Sequence, residues 1–429
     1  MRDDSIKLRF SFPLLIWGTT SFFYFYQFII RVSPSVTAAQ IMQDLSIQAC
    51  SMGMLASTYY AGYTGMQIAV GIILDRIGVR YPLAIASLLC VGGCLLFASS
   101  DSLIVMGIGR FFMGVGSSIG LLSCVKSASV WFSPRVLPTL IGWTMLMGPF
   151  GGAVGGAPFA SLVSVYGWRG AILVLALAGF VVAVMAWMFV RDKTEITVQE
   201  QPRVTILESL IIILQKPQTY LYGLYGCLMY IPLSGFVDLW GVPYMMHTYG
   251  LDEVKAAGFV SQIYIGVGVG GPLGAWVLAQ VKRYKPVLLA GAFLSGLMFL
   301  ISIYAPVDVM KPVIMLPGFI TFRLLDILFL AAGLFATVQF YAFACVVAIN
   351  ADYLSGTASG VHNMACMLSG IIFQPVIGWL LDLSWDGTLL DGAPVYREAD
   401  YLIALIAVPL SLILATITGF FLKEVYPRE

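Results

Sequence analysis

The sequence predicts an all-α integral membrane protein of twelve transmembrane helices arranged as two six-helix bundles. Three observations carry this prediction. Hydrophobic residues fill 59% of 429 positions, before 44 glycines are counted, and charged residues only 10%. A soluble chain carries about a quarter charged residues, and one this apolar would lack the polar sequence to cover its surface. Twelve apolar stretches follow one another, each near the roughly 20 residues that a bilayer core requires, and the longest connection falls between the sixth and the seventh.

The stretches run over 10–32, 50–74, 81–99, 103–125, 138–163 and 170–190, which places an N-terminal bundle in 1–190. A linker over 191–217 follows, in which 205–215 reads as a short helix lying along the membrane interface. Spans over 218–243, 256–280, 286–304, 327–349, 356–380 and 401–422 make a C-terminal bundle within 218–429. The first stretch is long, follows Asp3 and Asp4, and lacks a small-residue cleavage site. It therefore reads as a retained span and not a signal peptide.

Basic residues set the direction. Arg169, Lys255, Lys311, Arg323 and Arg397 fall in connections on one side, Arg31 and Arg110 at membrane depth, and the other sixteen of the 23 on the side of the termini. Both termini are thus predicted to be cytoplasmic.

Other classes of function are disfavoured. Lys and Arg (23) nearly equal Asp and Glu (22), so there is no basic excess for nucleic acid. Seven cysteines lie mostly in apolar runs without metal-ligand spacing and read as buried thiols. His247 and His362 are the only histidines, and no Ser/His/Asp set or G-x-x-x-x-G-K-[ST] loop is present. The chain reads as neither an enzyme nor an ATP-driven pump, with no cofactor and no metal.

Three motifs carry a family resemblance. Between spans 2 and 3 stands Gly71-Ile-Ile-Leu-Asp75-Arg76-Ile-Gly78-Val-Arg80; span 4 holds Gly109-Arg110-Phe-Phe-Met-Gly114-Val-Gly116; span 5 holds Gly148-Pro149-Phe-Gly151-Gly152. Together they resemble the loop, arginine–glycine and glycine–proline signatures of the major facilitator superfamily, over essentially the whole chain. The loop after span 8, Gln280-Val-Lys-Arg-Tyr-Lys285, departs from that pattern by lacking an Asp-Arg pair. The resemblance implies that Gly71, Asp75, Arg76, Gly78 and Arg80 form a conformational latch, with Asp75 near the N-terminus of span 11. Gly148, Pro149 and Gly152 are expected at a close, bending helix interface, because small residues let backbones approach in lipid.

Polar side chains at membrane depth are costly and mark cavities or partners. Tyr24, Gln27 and Arg31 share one face of span 1, and Tyr60, Tyr63 and Gln67 repeat that spacing on span 2. Arg110 and Lys126 on span 4, with Asn363 and Gln374 on span 11, complete the expected substrate-binding set. Arg31 near a span end also suits snorkelling, Lys126 a plain topology signal, and the amides helix-to-helix bonding. Asp238 on span 7 is the candidate for proton coupling, since burial opposes its charged form.

The expectation is therefore a secondary transporter working by alternating access around a midplane site, with a water-accessible chamber lined by cations. Arginine holds a carboxylate with two parallel bonds, so the substrate is expected to carry one. With Asp238 meeting an amino group, an amino acid or short peptide fits both ends. The pattern Tyr24-Phe-Tyr-Gln-Phe-Ile-Ile-Arg31 with Gly356-Thr-Ala-Ser-Gly360 also resembles the phagosomal nutrient transporters of intracellular bacteria, which implies amino acids or nucleosides and a bacterial cytoplasmic (inner) membrane. The alternatives are a polycarboxylate such as a citrate-type siderophore, moved in either direction, and drug efflux. The expected partners are that small molecule, membrane lipid and a proton, with the chain a monomer and no nucleic acid bound.

Overall fold

The computed structural model describes residues 12–192, 205–304, 307–310, 312–316, 320–390 and 392–426. The basic positions Arg2, Lys7, Arg9, Lys193, Arg203, Lys311 and Arg428, with most of the linker, lie outside the described residues. The architecture is almost wholly helical. α1 (Phe12–Leu45), α2 (Ala49–Ile77), α3 (Arg80–Ser99) and α4 (Leu103–Trp131) run up and down in turn. α5 begins as Leu137–Val154 and runs on into Ala157–Phe189, where Gly167, at φ +68°, breaks the helix and starts α6. After the linker come α7 (Pro217–Tyr249), α8 (Glu253–Val281), α9 (Tyr284–Tyr304), α10 (Leu324–Ala348), α11 (Ser355–Ser384) and α12 (Glu398–Phe421). Two short antiparallel hairpins, β1 (Pro312–Leu316) with β2 (Ile320–Arg323) and β3 (Leu389–Leu390) with β4 (Ala393–Pro394), occupy connections on one side.

Among the described residues, nine helices are long and apolar enough to cross a membrane. That count takes Thr139–Phe189 as one helix, across Gly167, and passes over α1 and α2. These two are long enough, at 34 and 29 residues, but exchange apolar side chains for tyrosines, amides and hydroxyls that are buried within the protein. The linker helix expected over 205–215 is present at Ile206–Leu214. Thr205 accepts from the Glu208 N–H while Glu208 accepts from the Thr205 N–H, a reciprocal cap that fixes its start.

Packing contacts join α1–α6 to one another and α7–α12 to one another, and we call these groups the N-terminal and C-terminal halves. The halves meet along α2 with α11, α5 with α8, and α1 with α7. We call the end holding Phe12, Gly78 and Phe421 the terminal end and the other the far end. At the far end the approach is backbone to backbone: a side chain on Gly53 would collide with the Gln374 carbonyl, and one on Gly378 with that of Ala49. At the terminal end Gly71, Gly142, Gly271 and Gly356 face open space. The halves are therefore closed at the far end and splayed at the other.

The glycine–proline stretch lies where it was expected. A Cβ on Gly148 would stand 2.7 Å from the Phe28 ring, and one on Gly152 2.7 Å from the Tyr264 ring across the halves. Pro149 sits inside α5 and faces Gly268 of α8.

Candidate functional site

The site begins with a missing donor. Pro34 lies inside α1 and has no N–H, so the Ile30 carbonyl one turn earlier loses its helical partner. The Ser33 hydroxyl, at 2.9 Å, and Arg110 of α4 supply replacements: Arg110 Nη1 donates to Ile30 O at 2.8 Å and Nη2 to Arg31 O at 3.4 Å, with the guanidinium 4.8 Å from the Tyr59 ring centre. Arg110 therefore stands behind α1 and braces the turn that carries Arg31.

Arg31 projects from that turn toward the C-terminal half. Its Nη1 donates to the Tyr230 hydroxyl at 2.7 Å and its Nη2 to Gln27 Oε1 at 3.4 Å, and Tyr59 also donates to that amide oxygen, at 3.0 Å. The Phe28 and Tyr63 rings lie 4.5 and 4.9 Å from the guanidinium, near enough for cation–π attraction. Arg31 Nε is buried without a hydrogen-bond partner. Among the described residues no carboxylate lies within salt-bridge distance of Arg31 or Arg110.

Asp238 answers from α7, inside a nine-residue π-helical stretch, Pro232–Trp240. Such wide turns are rare and recur at functional sites. Its side chain is fully buried. Tyr264 of α8 donates to Oδ1 at 2.6 Å and Tyr60 of α2 donates to Oδ2, so one phenol comes from each half. The Tyr60 ring rests on Gly370 of α11, where any side chain would occupy the ring's place. Closer to the terminal end, Asn363 Nδ2 donates to Gln67 Oε1 at 2.6 Å, the last hydrogen bond between the halves among the described residues before they part.

The structure thus brings together Gln27, Arg31, Tyr60, Tyr63, Gln67, Asp238 and Asn363, with Tyr24 packed edge-on against Phe28 at 5.3 Å. It does not bring Lys126, whose Nζ pairs with Asp75 Oδ1 at 2.6 Å at the terminal end. Gln374 is buried beside the cluster but spends its amide on the Ser234 carbonyl at 2.8 Å. The expected water-filled chamber is corrected as well. Arg31 is 2% exposed and Asp238 0%, because aromatic rings close over both. Cys50 and Cys227 are only half-buried, against the expectation for all seven thiols.

The predicted latch lies within the N-terminal half. Asp75 is 71% exposed and bonds to Lys126, not to the start of α11. Gly78, at φ +87°, packs on Asp192, which accepts from the Val79 N–H at 2.6 Å, and Arg80 donates to the Trp187 carbonyl at 3.0 Å. Arg76 is exposed.

Tyr230 and Tyr264 were not among the sequence candidates. A signal for Tyr264 existed: it is the twelfth residue of α8, as Tyr60 is of α2. Tyr230 offered none, because the π-helical stretch between it and Asp238 defeats a 3.6-residue projection.

Besides its phenols, this cluster buries two guanidiniums and one carboxylate among the described residues. With Asp238 ionised the balance is one positive charge, and low polarity around it magnifies its pull on an anion.

The sequence profile of the Major Facilitator Superfamily matches residues 16–390. The chain is 24% identical over 269 residues to a hexuronate transporter of Bacillus subtilis (strain 168), a match covering 60% of this chain and 63% of that one. It is 23% identical to a probable sulfoacetate transporter, SauU, of Cupriavidus necator, covering 88% of this chain and 89% of the other. Among solved structures, a bacterial homologue of the human lysosomal transporter Spinster, inward-facing and unoccupied, superposes with a TM-score of 0.73 at 15% identity, over 96% of this chain and 95% of that one. Motifs, helix architecture and whole-chain matches converge: the chain belongs to the Major Facilitator Superfamily and is a membrane transporter, not an enzyme.

Proposed function

We propose that this chain takes up a small carboxylate-bearing metabolite, together with a proton, by alternating access. The observation that carries the reading is Arg31: buried between the halves, with no carboxylate within salt-bridge distance among the described residues, and with one guanidinium nitrogen unoccupied. Two buried guanidiniums against one buried carboxylate leave one charge uncompensated at membrane depth, which is expensive, and a bound carboxylate relieves that cost. Because Arg110 is committed to α1 carbonyls, one guanidinium is left for substrate, which favours a monoacid over a citrate-type polycarboxylate. Two relatives are named for hexuronate and sulfoacetate, both small acids. Each Asp238 oxygen already accepts a phenol, leaving a poor seat for the ammonium of an amino acid or peptide. A ring of charges and hydroxyls is a poor match for drug efflux.

Asp238 couples the proton. When it is protonated the cluster gains a positive charge and favours the anion; when the anion leaves, the proton is easier to lose. Linkage makes the two effects equal and reciprocal. The carrier crosses the membrane twelve times, α1 and α2 included. The terminal end faces the cytoplasm of a bacterial inner membrane, as the basic connections indicate. With the far end closed, the structure corresponds to the inward-facing half of the cycle, and Asp75 reaches the start of α11 in the other half. The carrier works as a monomer.

Purified protein in proteoliposomes provides the test. Labelled hexuronate and sulfoacetate are expected to accumulate under an inward proton gradient, and leucine, a dipeptide and ferric citrate are not. Accumulation confined to the amino acid or dipeptide overturns the monoacid reading. Acid uptake that ignores the proton gradient overturns the coupling.

A further inference from the structure

We propose that Asp382 and Tyr396 form a latch that holds the far ends of the two halves together and must release before a solute enters from that side. The inference rests on the transporter reading and adds the gate to it. α2 begins without a cap of its own, since the side chain of Gln48 makes no capping bond. The cap comes from the opposite half. Asp382, near the end of α11, accepts the Ala49 N–H on Oδ1 at 3.0 Å and the Cys50 N–H on Oδ2 at 2.8 Å. The Tyr396 hydroxyl accepts from the same Ala49 N–H at 2.9 Å and donates to Asp382 Oδ1 at 2.5 Å. Both carboxylate oxygens are thereby engaged with a helix N-terminus, where a negative charge is favoured.

The network suits a gate. Its acceptors belong to the C-terminal half and its backbone donors to the N-terminal half, so every bond except Tyr396–Asp382 is lost when the far ends separate. Tyr396 is 2% exposed, held by Trp385 and Tyr401, so the hydroxyl is aimed before the halves meet. Once open, the freed N–H groups and carboxylate face water, which keeps release affordable. The hydrogen bonds between halves among the described residues run from Gln67–Asn363 outward to this network and to Gln40–Glu253 at 2.9 Å. A carboxylate of α11 caps α2 at this end, while at the other end α11 begins without a side-chain cap and Asp75 of α2 pairs with Lys126.

Ser35 provides a reporter. Its side chain is fully buried, its hydroxyl has no partner, and it lines a small hollow between α1, α5, α7 and α8 on the far side of Asp238. In a Cys50→Ser, Cys227→Ser background, which removes the two half-buried thiols, Ser35→Cys is labelled from outside intact cells with a membrane-impermeant maleimide, and Gly356→Cys reports the terminal end from inside in inverted vesicles. Asp382→Asn keeps one acceptor but loses the charge and the second acceptor, and is expected to raise labelling at position 35 about tenfold and lower it at 356, the size of effect of losing a hydrogen bond to a charged group. Tyr396→Phe, the milder change, is expected to raise it about threefold, and Asp382→Glu to restore much of the original rate. Unchanged labelling at 35 in both Asp382→Asn and Tyr396→Phe overturns the latch. So does labelling that rises at both ends, which denotes a loosened fold. A labelling shift as expected in a protein that moves none of the acids tested overturns the substrate reading and leaves the latch standing.

Discussion

The two halves place different chemistry on the same skeleton. In each, the first helix carries a buried charge near its twentieth residue, Arg31 on α1 and Asp238 on α7. The second helix of each carries a tyrosine at its twelfth, Tyr60 and Tyr264. The fourth helix of each is interrupted, at Ser118-Ile119 and at Thr337-Val338. Where the halves agree, they make a matched pair of phenols on one carboxylate. Where they differ, one brings a cation and the other an acid. The site therefore arises from broken symmetry: a binding charge in one half and an exchangeable proton in the other.

The largest effect expected from disturbing this division falls on the cation. Arg31→Gln is expected to weaken acid binding about hundredfold, as truncating one partner of a buried charge pair does; calorimetry on purified protein measures it. Affinity within threefold of wild type would mean that the anion is held elsewhere. Asp238→Asn should leave exchange of internal for external substrate intact and remove concentrative uptake, a loss of about tenfold per pH unit of gradient for one coupled proton. Retained accumulation would return the coupling role to another group.

Two smaller changes sharpen the comparison. Arg110→Lys keeps a charge but loses the fork that reaches two carbonyls. It is expected to cost about 1–3 kcal/mol of stability, seen as a lower thermal midpoint, while affinity shifts less than tenfold. A hundredfold affinity loss there would place Arg110 in contact with the substrate after all. Smallest are Tyr60→Phe and Tyr264→Phe, each removing one hydroxyl bond to Asp238 worth about 1 kcal/mol, hence about fivefold in transport rate at saturating substrate. Unequal losses would show that the two phenols, though matched in position, are not matched in use.

Much of this was legible in the chain itself. Composition and span length gave the helices, and the Gly71–Arg80 and Gly148–Gly152 stretches gave the family, because both depend on local spacing. Arg31, Tyr60 and Asp238 stood out because buried ionisable groups are rare at membrane depth. What spacing cannot supply is a partner from another helix. Arg110 looked like a substrate ligand until the Ile30 carbonyl was seen to occupy it, and Lys126 until Asp75 was. Asp382 drew no notice because its role depends on a helix start some 330 residues earlier in the chain. The irregular winding of α7 also hid Tyr230, since a periodic projection assumes regular turns.

The missing amide hydrogen at Pro34 carries an implication for descent. Ile30 keeps two side-chain donors in its place, the Ser33 hydroxyl of its own helix and the Arg110 guanidinium of another, and only the second is charged, so positions 34 and 110 are coupled. A lineage that exchanged the proline for a residue with an N–H would relax selection on Arg110, while one that lost the arginine first would leave that carbonyl to the Ser33 hydroxyl alone beneath its anion-binding turn. Among orthologues, positions 34 and 110 should therefore change as a pair, and a double-mutant cycle between them should be strongly non-additive.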